Sequence, residues 1–215
     1  MTAALDALAS GAASILGRPL ATNEGESFAK YLKLLQKWNK SQRLVGSSDE
    51  RWIVRNLFLD SLLFLRALPR EFRSLADIGS GAGLPGIPIK IVRSGVQVSL
   101  IESRARRASF LSTAVRDLGL QGARVVVDRV ERYADDARGA FDVAVMRCAG
   151  DFSEMVRLAA PLLGRDGLIV ASGPPAPRPL ETGTWVEVDG VVPGTKRRFA
   201  VFRPRDGLVG RGTLR

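Results

Sequence analysis

Histidine is absent from this chain, and cysteine occurs once, at Cys148. The first absence removes the commonest general base, the commonest metal ligand and every Ser-His-Asp or Cys-His arrangement. The second excludes a disulfide framework and a cysteine zinc site. No metal is expected, and Cys148 reads as a small buried residue. The chemistry must rest on carboxylates, on lysine and arginine, on backbone dipoles or on a cofactor's own reactivity. No apolar run approaches the ~20 residues that a membrane span requires. The opening "MTAALDALASGAASILG" has no basic leading region and is interrupted by Asp6. It reads as a surface helix, not a signal peptide. With the lone cysteine, this points to a cytoplasmic protein that avoids the membrane. Acids are also in deficit: 22 Asp and Glu stand against 32 Lys and Arg, a net charge of +10. Such an excess favours a polyanionic partner such as nucleic acid. The competing explanation is an arginine-rich coding bias on a generally soluble surface.

What is present suffices for a sizeable core: 215 residues, 46% of them hydrophobic. Apolar residues recur at helical spacing over 3–16 and 26–38, where Phe28, Tyr31, Leu32, Leu35 and Trp38 form one stripe. The polar stretch 39–48 is expected to end that helix. A third helix is predicted over 49–67, with Trp52, Ile53, Leu57, Leu62, Leu63 and Leu65 inward and Pro69 beyond its end. From Leu75 the pattern becomes strand alternating with helix. Strands are predicted at 75–78, 96–101, 124–128, 141–146 and 167–171, and helices at 84–94, 104–118 and 152–163. Pro85 falls near a first turn, where a missing N–H costs nothing. Regular βα alternation implies a mostly parallel sheet covered on both faces, with its ligand at the carboxyl ends of the strands. After a proline-rich loop, 184–188 and 197–202 read as an antiparallel hairpin closing the sheet. The expected organisation is a helical extension over 1–72, an α/β core over 73–205 and a loose tail over 206–215.

The stretch "LADIGSGAGLPGIPI" supports two readings. From Gly81 it contains G-x-G-x-x-G (Gly81, Gly83, Gly86), with Glu102 about 20 residues on, the dinucleotide fingerprint. From Asp77 it is D-x-G-x-G-x-G. A dinucleotide sets its pyrophosphate at this turn, over a helix N-terminus, and Asp77 would repel it. S-adenosylmethionine (SAM) carries a sulfonium and an ammonium and no phosphate. An acid beside the loop therefore favours SAM, by several kcal/mol at a partly buried site, as an order of magnitude. Glu102, closing the second strand, suits two ribose hydroxyls in either case. Arg104, Arg106 and Arg107 form either a solvated helix face or, with Lys196, Arg197 and Arg198, a phosphate-binding surface. Arg147 could be a strand-end partner of Asp142 or Asp151, and Asp60 a partner of some nearby arginine. Trp38 and Trp52 read as core side chains.

"DIGSGAGLPGIPI", "LIESRARRASFL", "DRVE" and "FDVAVMRCAG" together resemble the bacterial small-subunit ribosomal RNA guanine-N7 methyltransferase family (RsmG, also called GidB). "YLKLLQKWNKSQRLV" and "FLDSLLFL" are similar to that family's helical N-terminal region, so the likeness covers roughly residues 28–170. It implies a Rossmann-like class I SAM-dependent methyltransferase fold. The implied reaction is N7-methylation of a guanosine in 16S rRNA of the small ribosomal subunit, by a monomer. It further implies that Gly79 and Leu84 line the methionine and sulfonium end of SAM. Glu102 would take the ribose, and Val130 and Glu131 would lie beside the adenine. Arg147 would sit at the cofactor–substrate junction, and Arg106 and Arg107 match the family's basic pair. The chain departs from the family pattern at Arg43-Leu44-Val45, at Leu57 in place of a histidine and at Ser172 in place of a lysine.

Overall fold

The structure, a computed structural model, describes residues 2–147, 152–173, 179–180 and 182–203. Cys148, Asp151, most of the proline-rich loop and the expected tail lie outside these residues.

Among the described residues seven strands form one sheet: β1 Ser74–Ile78, β2 Gln97–Ile101, β3 Ala123–Val126, β4 Phe141–Met146, β5 Leu163–Ser172, β6 Thr184–Asp189 and β7 Lys196–Phe202. Their order is β3-β2-β1-β4-β5-β7-β6. Strands β1 to β5 are parallel, and β7 runs antiparallel between β5 and β6. The chain thus crosses from β3 at one edge back to β4 beside β1. This places the topological switch at the carboxyl ends of β1 and β4, where α/β sheets hold ligands.

The strands read as near-continuous apolar runs because both faces are covered. Period-two alternation sends Leu75, Val98, Leu100, Val143 and Val145 into one core and Ala76, Ile78, Ile101, Ala144 and Met146 into the other. The first core is shared with α1 (Ala3–Leu16), α2 (Thr22–Gln42), α5 (Gly86–Val92) and α6 (Ala105–Asp117). The second is covered by α7 (Val130–Asp136) and α8 (Phe152–Ala159). Residues 1–72 therefore share with α5 and α6 the cover of one face of the sheet. Tyr31 stacks on Phe58 with ring centres 5.0 Å apart, and Trp38 meets Phe110 edge-on at 5.6 Å.

Several boundaries differ from the sequence expectation. Helix α2 begins earlier, because Glu24 reaches back to accept the Ala21 N–H at 2.8 Å and pairs with Arg18 at 2.7 Å. It also runs through the polar residues to Gln42, ending only where Arg43 turns left-handed. Polar side chains on the open face do not stop a helix; a change of backbone conformation does. The segment expected as one helix over 49–67 is composite. It starts at Asp49, whose carboxylate accepts the Trp52 N–H at 2.7 Å, and runs as α3 (Glu50–Ile53). It widens to a π turn over Val54–Leu59, continues as α4 (Asp60–Leu62) and tightens to a 3-10 turn over Leu63–Arg66. Trp52 is exposed at its start, not inward as expected; the neighbouring Ile53 takes the buried position. Helix α7 gave no periodic signal, being two turns long. Helix α5 starts at Gly86, after Pro85, so the glycine loop is longer than the sequence pattern suggested.

Candidate functional site

Between β1 and α5 the chain makes a tight loop over residues 79–85. Ser80 anchors it: its N–H donates to the Ile101 carbonyl at 3.0 Å, and its carbonyl accepts from Gly83 and Leu84 at 2.7 and 3.1 Å. Two glycines serve opposite purposes. Gly79 has φ +67, and a Cβ placed on it would meet nothing within 4 Å. It faces open space at the carboxyl end of β1. Gly86 is buried, and a Cβ there would lie 2.6 Å from both Asp77 Oδ2 and Leu100 Cδ2. Its lack of a side chain lets α5 press onto β1 and β2. Gly83 and Leu84 are likewise buried, while Gly81 is half-exposed.

Asp77 lies beneath this loop, not at its open face. Alternation along β1 points it the same way as Leu75, toward α5. It is fully buried, and Oδ2 accepts the Gly86 N–H at 3.0 Å. Burial raises its carboxyl to about 7, against the pull of the Gly86 hydrogen bond and of Arg147. Oδ1 has no hydrogen-bond partner among the described residues. From α2, the buried Tyr31 hydroxyl donates to the Ala82 carbonyl, so the helical extension holds the loop from behind. Burial drives the Tyr31 phenol well above its ordinary value, so it remains a donor.

Glu102 follows β2. Its two oxygens accept from the Gly81 N–H at 3.0 Å and the Arg104 N–H at 2.9 Å. The carboxylate is thus held at the loop's rim with lone pairs to spare. Val130 is buried at the start of α7 and Glu131 is exposed beside it. Asp128 accepts the Arg129 N–H at 2.7 Å and the Arg132 side chain at 2.8 Å, which lowers its pKa.

Arg147, at the end of β4, is anchored by the helical extension. Its Nη2 lies 2.9 Å from Ser61 Oγ, 3.1 Å from the Leu57 carbonyl and 3.1 Å from Asp60 Oδ2. Asp142 is not this partner, one of the two that the sequence suggested: it accepts the Arg73 and Ser74 N–H groups instead. The other, Asp151, lies outside the described residues. Burial pulls the Arg147 guanidinium down from its ordinary value and Asp60 pulls it up. Its Nε is buried and has no hydrogen-bond partner among the described residues. Asp60 is shared, its other oxygen lying 2.8 Å from Arg197 Nε. Arg197 also donates to the Gly173 carbonyl at 2.8 Å and lies over the Phe199 ring. Asp60 thus joins β4, β7 and the helical segment at one point. No local pattern reveals this bridge, because each arginine lies 86 or more residues from its partner in the helical segment.

At the position where the resembled family has histidine, Leu57 acts through its main chain. Its carbonyl accepts from the Asp60 N–H, the Ser61 hydroxyl and Arg147. π turns such as this one recur at functional sites.

The donor set fits SAM. An open cradle lies over Gly79, a carboxylate at the end of β2 can take ribose hydroxyls, and a buried acid with an orphaned oxygen beneath the loop sets a negative field. Fold and site together define a class I SAM-dependent methyltransferase.

Comparison with known proteins narrows the class. The family described as rRNA small subunit methyltransferase G matches residues 24–173. Ribosomal RNA small subunit methyltransferase G of Chromobacterium violaceum is 40% identical over 146 residues, 68% of this chain and 68% of that protein. The protein of the same name from Clostridium botulinum (strain Loch Maree / Type A3) is 35% identical over 152 residues, 69% of this chain and 64% of that protein. Among solved structures, a mutant of MtNAS shares the fold with a TM-score of 0.55 and 20% identity, covering 80% of this chain and 70% of that one. The chain belongs to the rRNA small subunit methyltransferase G family, and its cofactor is SAM.

Proposed function

We propose that this chain methylates N7 of a guanosine in 16S rRNA, acting as a cytoplasmic monomer on the small ribosomal subunit. The observation that carries the reading is the anchored Arg147 beside the open Gly79 cradle, in a chain of this family. Bound SAM supplies an electrophilic methyl group, and guanine N7 already offers an in-plane lone pair. The protein therefore has no proton to remove from the acceptor, which accords with a chain lacking histidine. Its task is alignment in a dry site. In this reading Gly79, Gly81, Gly83 and Leu84 cradle the methionine end. Asp77 offsets the cofactor's positive charge from below. Glu102 holds the ribose, and Val130 and Glu131 flank the adenine. Arg147, fixed by Asp60, Ser61 and the Leu57 carbonyl, borders the acceptor base.

The family's histidine position asks only for a carbonyl in this arrangement, and leucine supplies one. The test is methyl transfer from labelled SAM into unmethylated 16S transcript, small ribosomal subunits and a small-metabolite extract. Label in guanine N7 of either RNA sample supports the reading. Label confined to small metabolites, or none at all despite SAM binding, overturns it.

A further inference from the structure

The chain has two basic clusters near the site, and the fold treats them differently. On β7 each cation is met by an acid: Lys196 by Asp189, Arg197 by Asp60 and Arg198 by Glu187, each at 2.8 Å. The other cluster lines a groove of about 620 Å³ between the end of α2 and the start of α6, formed by Lys40, Arg43, Arg104, Arg106 and Arg107. No carboxylate lines it, and among the described residues none of the five is in an ion pair.

Folding alone disfavours this arrangement at three points. Arg43 occupies the left-handed region at φ 46, the one non-glycine residue with positive φ among the described residues. Glycine is the usual occupant of that position after a helix. Arg104 is the N-cap of α6 without making a side-chain cap, where Ser, Thr, Asp or Asn is preferred. Arg106 and Arg107 stand in the first turn of that helix, where the dipole favours acids. Local rules broken together at one place mark a functional surface. The groove also opens onto the cofactor loop. Arg107 Nη1 is 3.7 Å from where a Cβ on Gly81 would lie, and the Arg104 N–H is held by Glu102. In the other direction the charge continues over a second depression lined by Lys33, Lys37 and Lys40.

We propose that this groove, not the β7 cluster, carries the phosphodiester backbone of the RNA strand that delivers the target guanosine to the site. A run of unmatched cations that continues from one depression into the next fits a continuous polyanion better than a single phosphate. The proposal rests on the rRNA reading above.

The experiment uses the full chain and unmethylated 16S transcript, with binding measured over a range of salt. Removing Arg43, Arg104 and Arg106 together, as Arg43→Gly, Arg104→Gln and Arg106→Gln, should reduce the slope of log K against log salt by about 2. This follows from ~0.7 per phosphate contact on a single strand. Affinity at ~0.15 M salt should fall at least about tenfold, while SAM affinity by calorimetry stays within about twofold. Lysine in place of Arg104 and Arg106 should restore the slope, since a point charge satisfies a phosphate. Arg43→Gly alone should raise the melting midpoint and weaken RNA binding together, a combination that a purely structural residue would not give. If the wild type methylates the transcript and the triple variant keeps its slope and KM, the groove assignment is wrong and the methyltransferase reading stands. If the wild type binds SAM but neither binds nor methylates the transcript, the rRNA reading fails and takes the groove with it.

Discussion

Asp77 and the glycines above it show what a residue's surroundings do to its meaning. The acid separates SAM from a dinucleotide on charge alone. The structure puts it under the loop, half committed to Gly86 and about half protonated at pH 7. Its carboxyl is raised from an unfolded value near ~4. The folded state therefore keeps a proton that the unfolded chain has released. Stability should fall as pH climbs from about 4 to about 7 and level off above, by on the order of 4 kcal/mol. Asp77→Asn should flatten that decline, as read from denaturant midpoints across the range. A cationic cofactor favours the charged carboxylate, so SAM binding near pH 6.5 should release a proton, visible as a buffer-dependent calorimetric heat. Equal proton release in Asp77→Asn would remove Asp77 from this role. The glycines separate in the same way. Gly79→Asp should leave a folded protein, strained by about 1–2 kcal/mol, that no longer binds SAM. Gly86→Ala should instead lower the melting midpoint, through about 2–3 kcal/mol of overpacking against Asp77 and Leu100. G-x-G-x-x-G makes these positions look alike; only the positions of their neighbours tell ligand space from packing space.

At the scale of elements, the helical segment 50–66 departs furthest from its sequence pattern. Apolar spacing predicted one regular helix, yet it passes through α, π and 3-10 turns within 17 residues. Its irregular middle holds Leu57, Asp60 and Ser61, the three anchors of Arg147. Two buried aromatic contacts, Phe58 with Tyr31 within this stretch and Phe64 with Phe199 just beyond it, clamp the segment where this geometry is needed. Asp60→Asn should weaken the hold on both Arg147 and Arg197 and cost about 2 kcal/mol of stability, because the guanidiniums remain partly buried without their counter-charge. If Asp60 positions Arg147, turnover should fall more than KM rises, with SAM affinity little changed; a loss of stability with unaltered turnover would reduce the bridge to scaffolding. Strands were read well, β4 to the residue and the others within a few, since period-two burial is local. The start of α5, the end of α2 and the whole of α7 were not, since capping, backbone handedness and a two-turn helix carry little periodic signal.

Over the whole molecule, residues 1–72 and the sheet share one core. Phe28, Tyr31, Leu35, Phe58 and Phe64 cover the same sheet face that Leu75, Val98, Leu100, Val143 and Val145 present. Each such buried side chain contributes about 1.5–3 kcal/mol. A chain starting at residue 73 should therefore fail to give a cooperative thermal transition and should bind no SAM. A stable, SAM-binding fragment would show that the helical region is an addition to a self-sufficient core. By itself the sequence determined the α/β class, the mostly parallel sheet with its terminal hairpin, a glycine loop with Glu102 after the second strand, and the family, because each rests on spacing or charge within a short stretch. Tertiary structure decided which glycines face open space, which partner holds Arg147, and which of two basic clusters is left unneutralised. Those outcomes depend on pairs such as Asp60 with Arg197 and on the approach of α2 to α6, contacts between distant parts of the chain that no local pattern encodes.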